Sequence, residues 1–121
     1  MGVKYNQMVV RALSSDEIDR VFQALADATR RDIFVRSIEG GRSISSLASH
    51  YDMSFAAVQK HVAVLERALL VTKTRRGREQ IVGGNVPTLV KVASLLDEFE
   101  SNWRQRALQM DEILNEEGEG T

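Results

Sequence analysis

From Val86 to about Glu116 the apolar residues recur in steps of three and four: Leu89, Val92, Leu96, Phe99, Trp103, Ala107 (or Arg106), Met110, then Ile113 or Leu114. That near-heptad spacing predicts one long helix with a single apolar seam. Pro87 suits its first turn, where a missing N–H removes no helical bond. About 30 residues at ~1.5 Å each make a rod of roughly 45 Å. A chain of 121 residues forms one small domain, too narrow to cover such a rod. The expected cover is a second copy, making a homodimer through the C-terminal helix. Leu89, Val92, Leu96, Phe99, Trp103 and Met110 are the expected dimer contacts. Trp103 reads as an anchor of that interface, and a cavity beside it would also suit a small apolar effector.

Upstream, helix starts are written in capping residues. Ser14-Ser-Asp-Glu17 is a capping box, followed by Ile18, Val21, Phe22 and Leu25 at helical spacing. Asp27 caps a second helix whose buried face is expected to hold Ile33, Phe34 and Ile38, and Gly40-Gly41 stops it. Arg42-Ser-Ile44 reads as a short extended piece. Ser45 is the expected cap of a third helix carrying Leu47, Ala48 and Tyr51. Asp52-Met-Ser54 turns into a fourth, with Asp52 expected to take the left-handed conformation that such turns often demand. In that fourth helix Ser54 is the cap and Val58, Val62, Leu65 and Leu69 form the buried stripe. Two short helices crossing through a tight turn make a helix–turn–helix.

After Leu70 the period falls from 3.6 to 2. Val71–Arg76 and Arg78–Val82 flank Gly77 as a hairpin, and Gly83-Gly84-Asn85 reads as the turn that ends it. The predicted fold is mainly α with a small β-hairpin: a winged helix–turn–helix. Its expected organisation is an N-terminal arm (1–13), a DNA-binding core (14–85), a dimerisation helix (86–116) and a disordered tail (117–121).

Net charge is −1, which by itself argues against a polyanion partner. Its distribution argues the other way. Residues 54–82 hold six basic and two acidic residues, a net of +4, whereas residues 83–121 hold three and eight, a net of −5. A basic middle on an acidic chain suits double-stranded DNA at one face. The front of the fourth helix offers Ser54, Phe55, Ala56, Gln59 and Lys60, small residues beside ones able to bond base edges or phosphates. His61 has two readings, a half-buried structural histidine or a DNA contact, and Phe55 alternatively plugs the turn. Arg75, Arg76 and Arg78 at the hairpin tip suit phosphates or the minor groove. Arg30 reads as a structural ion-pairing residue.

With no cysteine, the chain has no disulfide, thiolate metal site or cysteine nucleophile. No phosphate loop, nucleophile elbow or metalloprotease motif occurs, so neither enzyme chemistry nor a cofactor is expected. No apolar run is long enough to span a membrane, and no signal peptide is read at the start, so the expected location is the cytoplasm.

Ala24-Leu-Ala-Asp-Ala-Thr-Arg-Arg-Asp-Ile33, Ser46-Leu-Ala48, Ala57-Val-Gln-Lys-His-Val-Ala-Val-Leu-Glu-Arg-Ala68 and Arg75-Arg-Gly-Arg78 together resemble the ArsR family of bacterial winged helix–turn–helix repressors. The resemblance spans about residues 18–115, and Phe99 and Trp103 resemble the seam of its metal-independent branch. It implies a homodimeric regulator, usually an autorepressor on an imperfect palindrome, that leaves its operator when an unidentified effector or condition changes. Two positions depart from the family pattern. Ala28 replaces the proline of an Asp-Pro-Thr-Arg corner. Leu69 replaces the glycine that ends the recognition helix, and because a left-handed leucine costs about 1 kcal/mol or more, an altered cap is expected there. Metal-sensing members use cysteines, or Asp/His pairs on the last helix, and this sequence has neither pattern. The alternative function is a winged-helix protein-interaction module that never touches DNA.

Overall fold

Capping side chains decide where the helices begin. The computed structural model describes residues 12–119, with side chains through residue 116. Residues 1–11 of the expected arm and residues 120–121 of the expected tail lie outside the described residues. In chain order the elements are α1 (Ser15–Leu25), α2 (Ala28–Glu39), β1 (Arg42–Ser43), α3 (Ile44–Ala48), α4 (Phe55–Arg67), β2 (Val71–Arg76), β3 (Glu79–Gly84) and α5 (Val86–Glu119). Ser14 caps α1 with the complete reciprocal box: its hydroxyl accepts from the Glu17 N–H at 3.2 Å, and its own N–H donates to the Glu17 carboxylate at 2.9 Å. Asp27 caps α2 by accepting from the Arg30 N–H, and Ser54 caps α4 by accepting from the Ala57 N–H at 3.1 Å. Each such cap contributes about 1 kcal/mol.

One core joins every helix. Val21 and Ala24 of α1, Ile33 and Phe34 of α2, Ile44 and Leu47 of α3, and Val58, Val62 and Leu65 of α4 are buried with Leu70, Val71 and Val82. Fully burying a valine or leucine contributes about 1.5–3 kcal/mol, so this cluster holds the domain. Among the described side chains of α5, only Thr88 and Val92 are buried, with Leu89 packed against the cluster. From Leu96 through Glu116 every residue of α5 is exposed. The helix leaves the domain after its second turn and runs to Glu119, past the expected end at residue 116.

Several local expectations change. Ser43, not Ser45, caps α3 by accepting from the Ser46 N–H at 3.0 Å, so Ile44 is the first helical residue and Tyr51 lies beyond the helix in the turn. Arg42 and Ser43 are not a free extended piece; they pair antiparallel with Val82 and Ile81, making a three-stranded sheet of order β1-β3-β2. Gly83 and Gly84 continue β3 opposite Thr72 and Val71 instead of turning. Phe22 and Ile38 are partly exposed; Ala24 and Ser37 are the residues turned inward, Ser37 donating to the Phe34 carbonyl at 2.7 Å. Asp52 does not adopt a left-handed conformation: among the described residues, a left-handed φ occurs only at Leu69 and Gly77. Gly77 takes φ 64° at the first of two central positions, Arg78 the second, the pattern of a type II′ hairpin.

Leu69 overturns the altered cap. It keeps the left-handed geometry, φ 63°, and the end of α4 is a complete Schellman motif. The Leu70 N–H donates to the Leu65 carbonyl at 3.0 Å, the Leu69 N–H to the Glu66 carbonyl at 3.0 Å, and Leu70 buries itself beside Leu65. Asn85 reinforces the reversal from the other side, its Nδ2 donating to the Leu69 carbonyl and its N–H to the Leu70 carbonyl, both at 2.8 Å. Leu69 therefore leaves the expected buried stripe, points outward, and yields the inner place to Leu70. Its side chain is 41% exposed, so truncation removes little burial while relieving the backbone. Leu69→Gly is expected to stabilise the fold by about 0.5–1 kcal/mol in denaturant titration, and a loss of stability would show that the leucine's contacts outweigh its strain.

Candidate nucleic-acid interface

The front of α4 is left free by the way its back is filled. Val58, Val62 and Leu65 are fully buried, which turns Phe55, Ala56, Gln59 and Lys60 outward as exposed residues. Ser54 is exposed as well and spends its hydroxyl on the cap. Among the described residues none bonds the side chains of Gln59, Lys60, Arg76 or Arg78. Lys73, by contrast, pairs with Glu66 at 3.2 Å, tying the wing to the far end of α4. Arg75 is half committed: its Nε donates to the Gly77 carbonyl at 3.2 Å and braces the hairpin tip.

The wing and α4 meet at a groove of ≈ 230 Å³ lined by Phe55 and Gln59 from α4, Ser43, Ile44 and Ser45 at the start of α3, and Arg78, Glu79 and Gln80 from the wing. Three of the expected DNA-contacting residues, Phe55, Gln59 and Arg78, are thereby brought to one place. Ser43, Ser45 and Gln80 were not anticipated. Gln80 was readable from strand alternation, because it shares a face with the buried Val82. Ser43 and Ser45 were hidden behind the shifted start of α3.

The tight turn before α4 is pinned to α2. The Tyr51 hydroxyl donates to Asp32 Oδ2 at 2.5 Å, and Arg36 Nε donates to the same oxygen at 2.8 Å. Burial, with the Asp32 bond, pushes the Tyr51 hydroxyl up to about 12. The Tyr51 and Arg36 bonds hold the Asp32 carboxyl below the usual carboxylate range.

His61 faces inward. Its Nδ1 lies 3.4 Å from Arg30 Nη1 and 4.0 Å from Asp27 Oδ2, and the side chain is half-buried. Arg30 does not make the expected ion pair as its main business. Its Nε and Nη2 donate to the Ala24 and Gln23 carbonyls at 2.8 and 3.1 Å, and Arg31 Nη1 donates to the Leu25 carbonyl at 2.7 Å. α1 has no basic residue in its own last turn, so these two arginines supply donors to its terminal carbonyls from the next helix. The Arg30 N–H, helped by the Arg30 charge, holds the Asp27 carboxyl below its ordinary range.

Of the expected seam, Leu89 and Val92 pack on the core of their own chain, while Leu96, Phe99, Trp103 and Met110 lie on the surface; Trp103 is 71% exposed. Among the described residues no group of three His, Asp or Glu side chains is placed to hold a metal, and no helix is long and apolar enough to cross a membrane.

No family model matches the sequence. The chain is similar to the HTH-type transcriptional regulator Rv2034 of Mycobacterium tuberculosis, 32% identical over 103 residues, covering 85% of this chain and 94% of that protein. Among solved structures it resembles an ArsR-like transcriptional regulator from Rhodococcus sp. RHA1, with a TM-score of 0.73 and 32% identity over 81% of this chain and 92% of that one. The homodimeric winged helix–turn–helix DNA-binding domain of Mb0332 from Mycobacterium bovis shares the fold at TM-score 0.56 and 23% identity, covering 70% of this chain and 90% of that one.

Proposed function

We propose, since this chain belongs to the ArsR family of winged helix–turn–helix transcriptional regulators, that it acts as a homodimeric repressor on an imperfectly palindromic operator, its own promoter included. The observation that carries the reading is the exposure of Gln59, Lys60, Arg76 and Arg78, whose side chains are unbonded among the described residues, together with the groove that brings Gln59 of α4 and Arg78 of the wing to one place. Two-fold symmetry would bring two copies of α4 to successive major grooves about 34 Å apart. Gln59 then reads a base edge, and adenine suits an amide that both donates and accepts. Lys60, Arg76 and Arg78 hold phosphates or the minor groove, with Arg75 stiffening the tip. Ser54, Phe55 and Ala56 permit close approach. His61 supports the helix from behind.

Leu96, Phe99, Trp103 and Met110 supply the dimer seam, and the name of the Mycobacterium bovis relative, which calls that domain homodimeric, supports it. A repressor of this design acts by occupying its site. An effector that separates or tilts the two subunits would release it, and the exposed surface around Trp103 is where a small apolar molecule would act.

The test is a pair of substitutions measured on two duplexes. Gln59→Ala is expected to lower discrimination between a selected operator and random DNA by about 1–3 kcal/mol while leaving random DNA nearly unchanged. Arg76→Ala is expected to weaken both duplexes alike and reduce the steepness of the salt dependence by about 0.9 in log–log slope. Equal loss on both duplexes from Gln59→Ala would sink the base-reading role.

A further inference from the structure

We propose that Arg30 is a positioning residue for DNA reading, locking the recognition helix, through His61, to the corner between α1 and α2. The inference rests on the reading of α4 as the DNA-contacting helix. Its evidence is the geometry of one side chain. Arg30 Nε and Nη2 are fixed on the Ala24 and Gln23 carbonyls at 2.8 and 3.1 Å, and its own N–H is held by Asp27 at 3.0 Å. The guanidinium is planar, so two anchored nitrogens fix the third. That third nitrogen, Nη1, meets His61 Nδ1 at 3.4 Å.

His61 follows Gln59 and Lys60 on α4 within a single turn. A shift of the His61 side chain relative to the corner is therefore a rotation or slide of the residues expected to touch DNA. Base-edge hydrogen bonds fall off steeply with distance and angle, whereas phosphate attraction tolerates displacement. The lock accordingly acts on discrimination more than on overall affinity. It also fixes the imidazole: a guanidinium has only donors, so Nδ1 must be the bare acceptor and the proton sits on Nε2. Asp27 Oδ2, 4.0 Å from the same Nδ1, is the other charged group facing the ring. Nothing in the ordinary stability of a small helical domain requires an arginine to span α1, α2 and α4 at once; a lysine also has three donors, but all on one nitrogen, and cannot reach the separate acceptors held by Nε, Nη1 and Nη2.

The experiment uses the full chain, a duplex selected by the wild-type protein from a random pool, and a scrambled duplex of the same composition. Arg30→Lys and His61→Phe are each expected to weaken the selected duplex about tenfold while the scrambled one changes less than about twofold, and the double variant is expected to lose no more than the larger single. His61→Asn places an amide oxygen where Nδ1 stood and is expected to restore discrimination. Should Arg30→Lys unfold because the α1 carbonyls lose their donors, His61→Phe leaves those bonds intact and carries the test. Independently of DNA, nitrogen-15 spectra of the wild type are expected to show His61 protonated on Nε2. A proton on Nδ1, full additivity of the two substitutions, no recovery of discrimination in His61→Asn, or a loss confined to His61→Phe while a folded Arg30→Lys discriminates normally would overturn the inference, the last by making His61 a direct DNA contact. Failure of the wild type to select any duplex would instead bring down the DNA-binding reading itself.

Discussion

Replacing Phe99 and Trp103 together by aspartate is expected to yield a folded monomer with at least hundredfold weaker operator binding. Both side chains lie beyond Val92, the last core residue on α5, and are more than half exposed. Their loss therefore leaves the Val21-to-Val92 cluster untouched, and the thermal melt should stay cooperative. In a dimer they would supply four aromatic side chains, whose burial contributes on the order of 10 kcal/mol before the cost of association is subtracted. Aspartates at the same positions would add like charges to a seam already flanked by Asp97, Glu98 and Glu100. Binding then falls because one half-site no longer holds the second subunit at high effective concentration, a gain of about 10²–10⁴ in linked systems. Light scattering and a gel shift on the same preparation decide it. A variant that remains dimeric would remove the seam from the interface, and one that unfolds would place these residues in a core role that their exposure does not suggest.

Much of this fold was legible because the physics that sets it is local. Ser14, Asp27 and Ser54 each stand immediately before an apolar-periodic run, and each caps the helix expected of it. The same logic failed at α3, where Ser43, Ser45 and Ser46 all precede Leu47 and local rules do not choose among them. Pairing chose: once Arg42 and Ser43 join β3, the helix must start at Ile44. The extended piece at Arg42 was readable, but its pairing as a third strand was not, since a two-residue strand has no periodicity to read. Leu69 shows propensity losing to tertiary structure. The expected cost of a left-handed leucine is real, yet Asn85 holds its carbonyl and Leu70 fills the core, so the Schellman geometry survives the wrong residue. The candidate site divides the same way. Gln59, Lys60 and the wing arginines follow from helix phase and hairpin position. The Arg30 fork, the inward turn of His61 and the groove shared with Gln80 depend on contacts across distant parts of the chain.

Gly83 and Gly84 look alike in the sequence, and they are expected to respond in opposite ways to added side chains. Both continue β3. A Cβ on Gly83 would meet only Thr72 Oγ1 at 3.8 Å, an ordinary contact, so Gly83→Ala should be neutral or stabilise slightly by restricting the unfolded chain. A Cβ on Gly84 would lie 2.7 Å from Ile38 Cγ1, 3.0 Å from Ile38 Cα and 3.1 Å from Ile38 N. Two of those atoms are backbone of α2, so no rotamer change clears the space; the helix itself would have to lift from the sheet. Gly84→Val is therefore expected to cost about 3 kcal/mol or more, and Gly84→Ala about 1–3 kcal/mol. For a domain of this size each kcal/mol lowers the midpoint of thermal unfolding by roughly 4–8 °C, so the valine variant should melt more than ten degrees below its Gly83→Ala counterpart. Ile38→Ala in the Gly84→Ala background separates the causes. Relief by that second substitution would assign the strain to the isoleucine side chain. No relief would assign it to the α2 backbone, and this is the outcome expected from the 3.0 Å approach. The pair thus explains why two glycines that resemble a turn stand inside a strand: only one is needed, and it is the one over which α2 crosses.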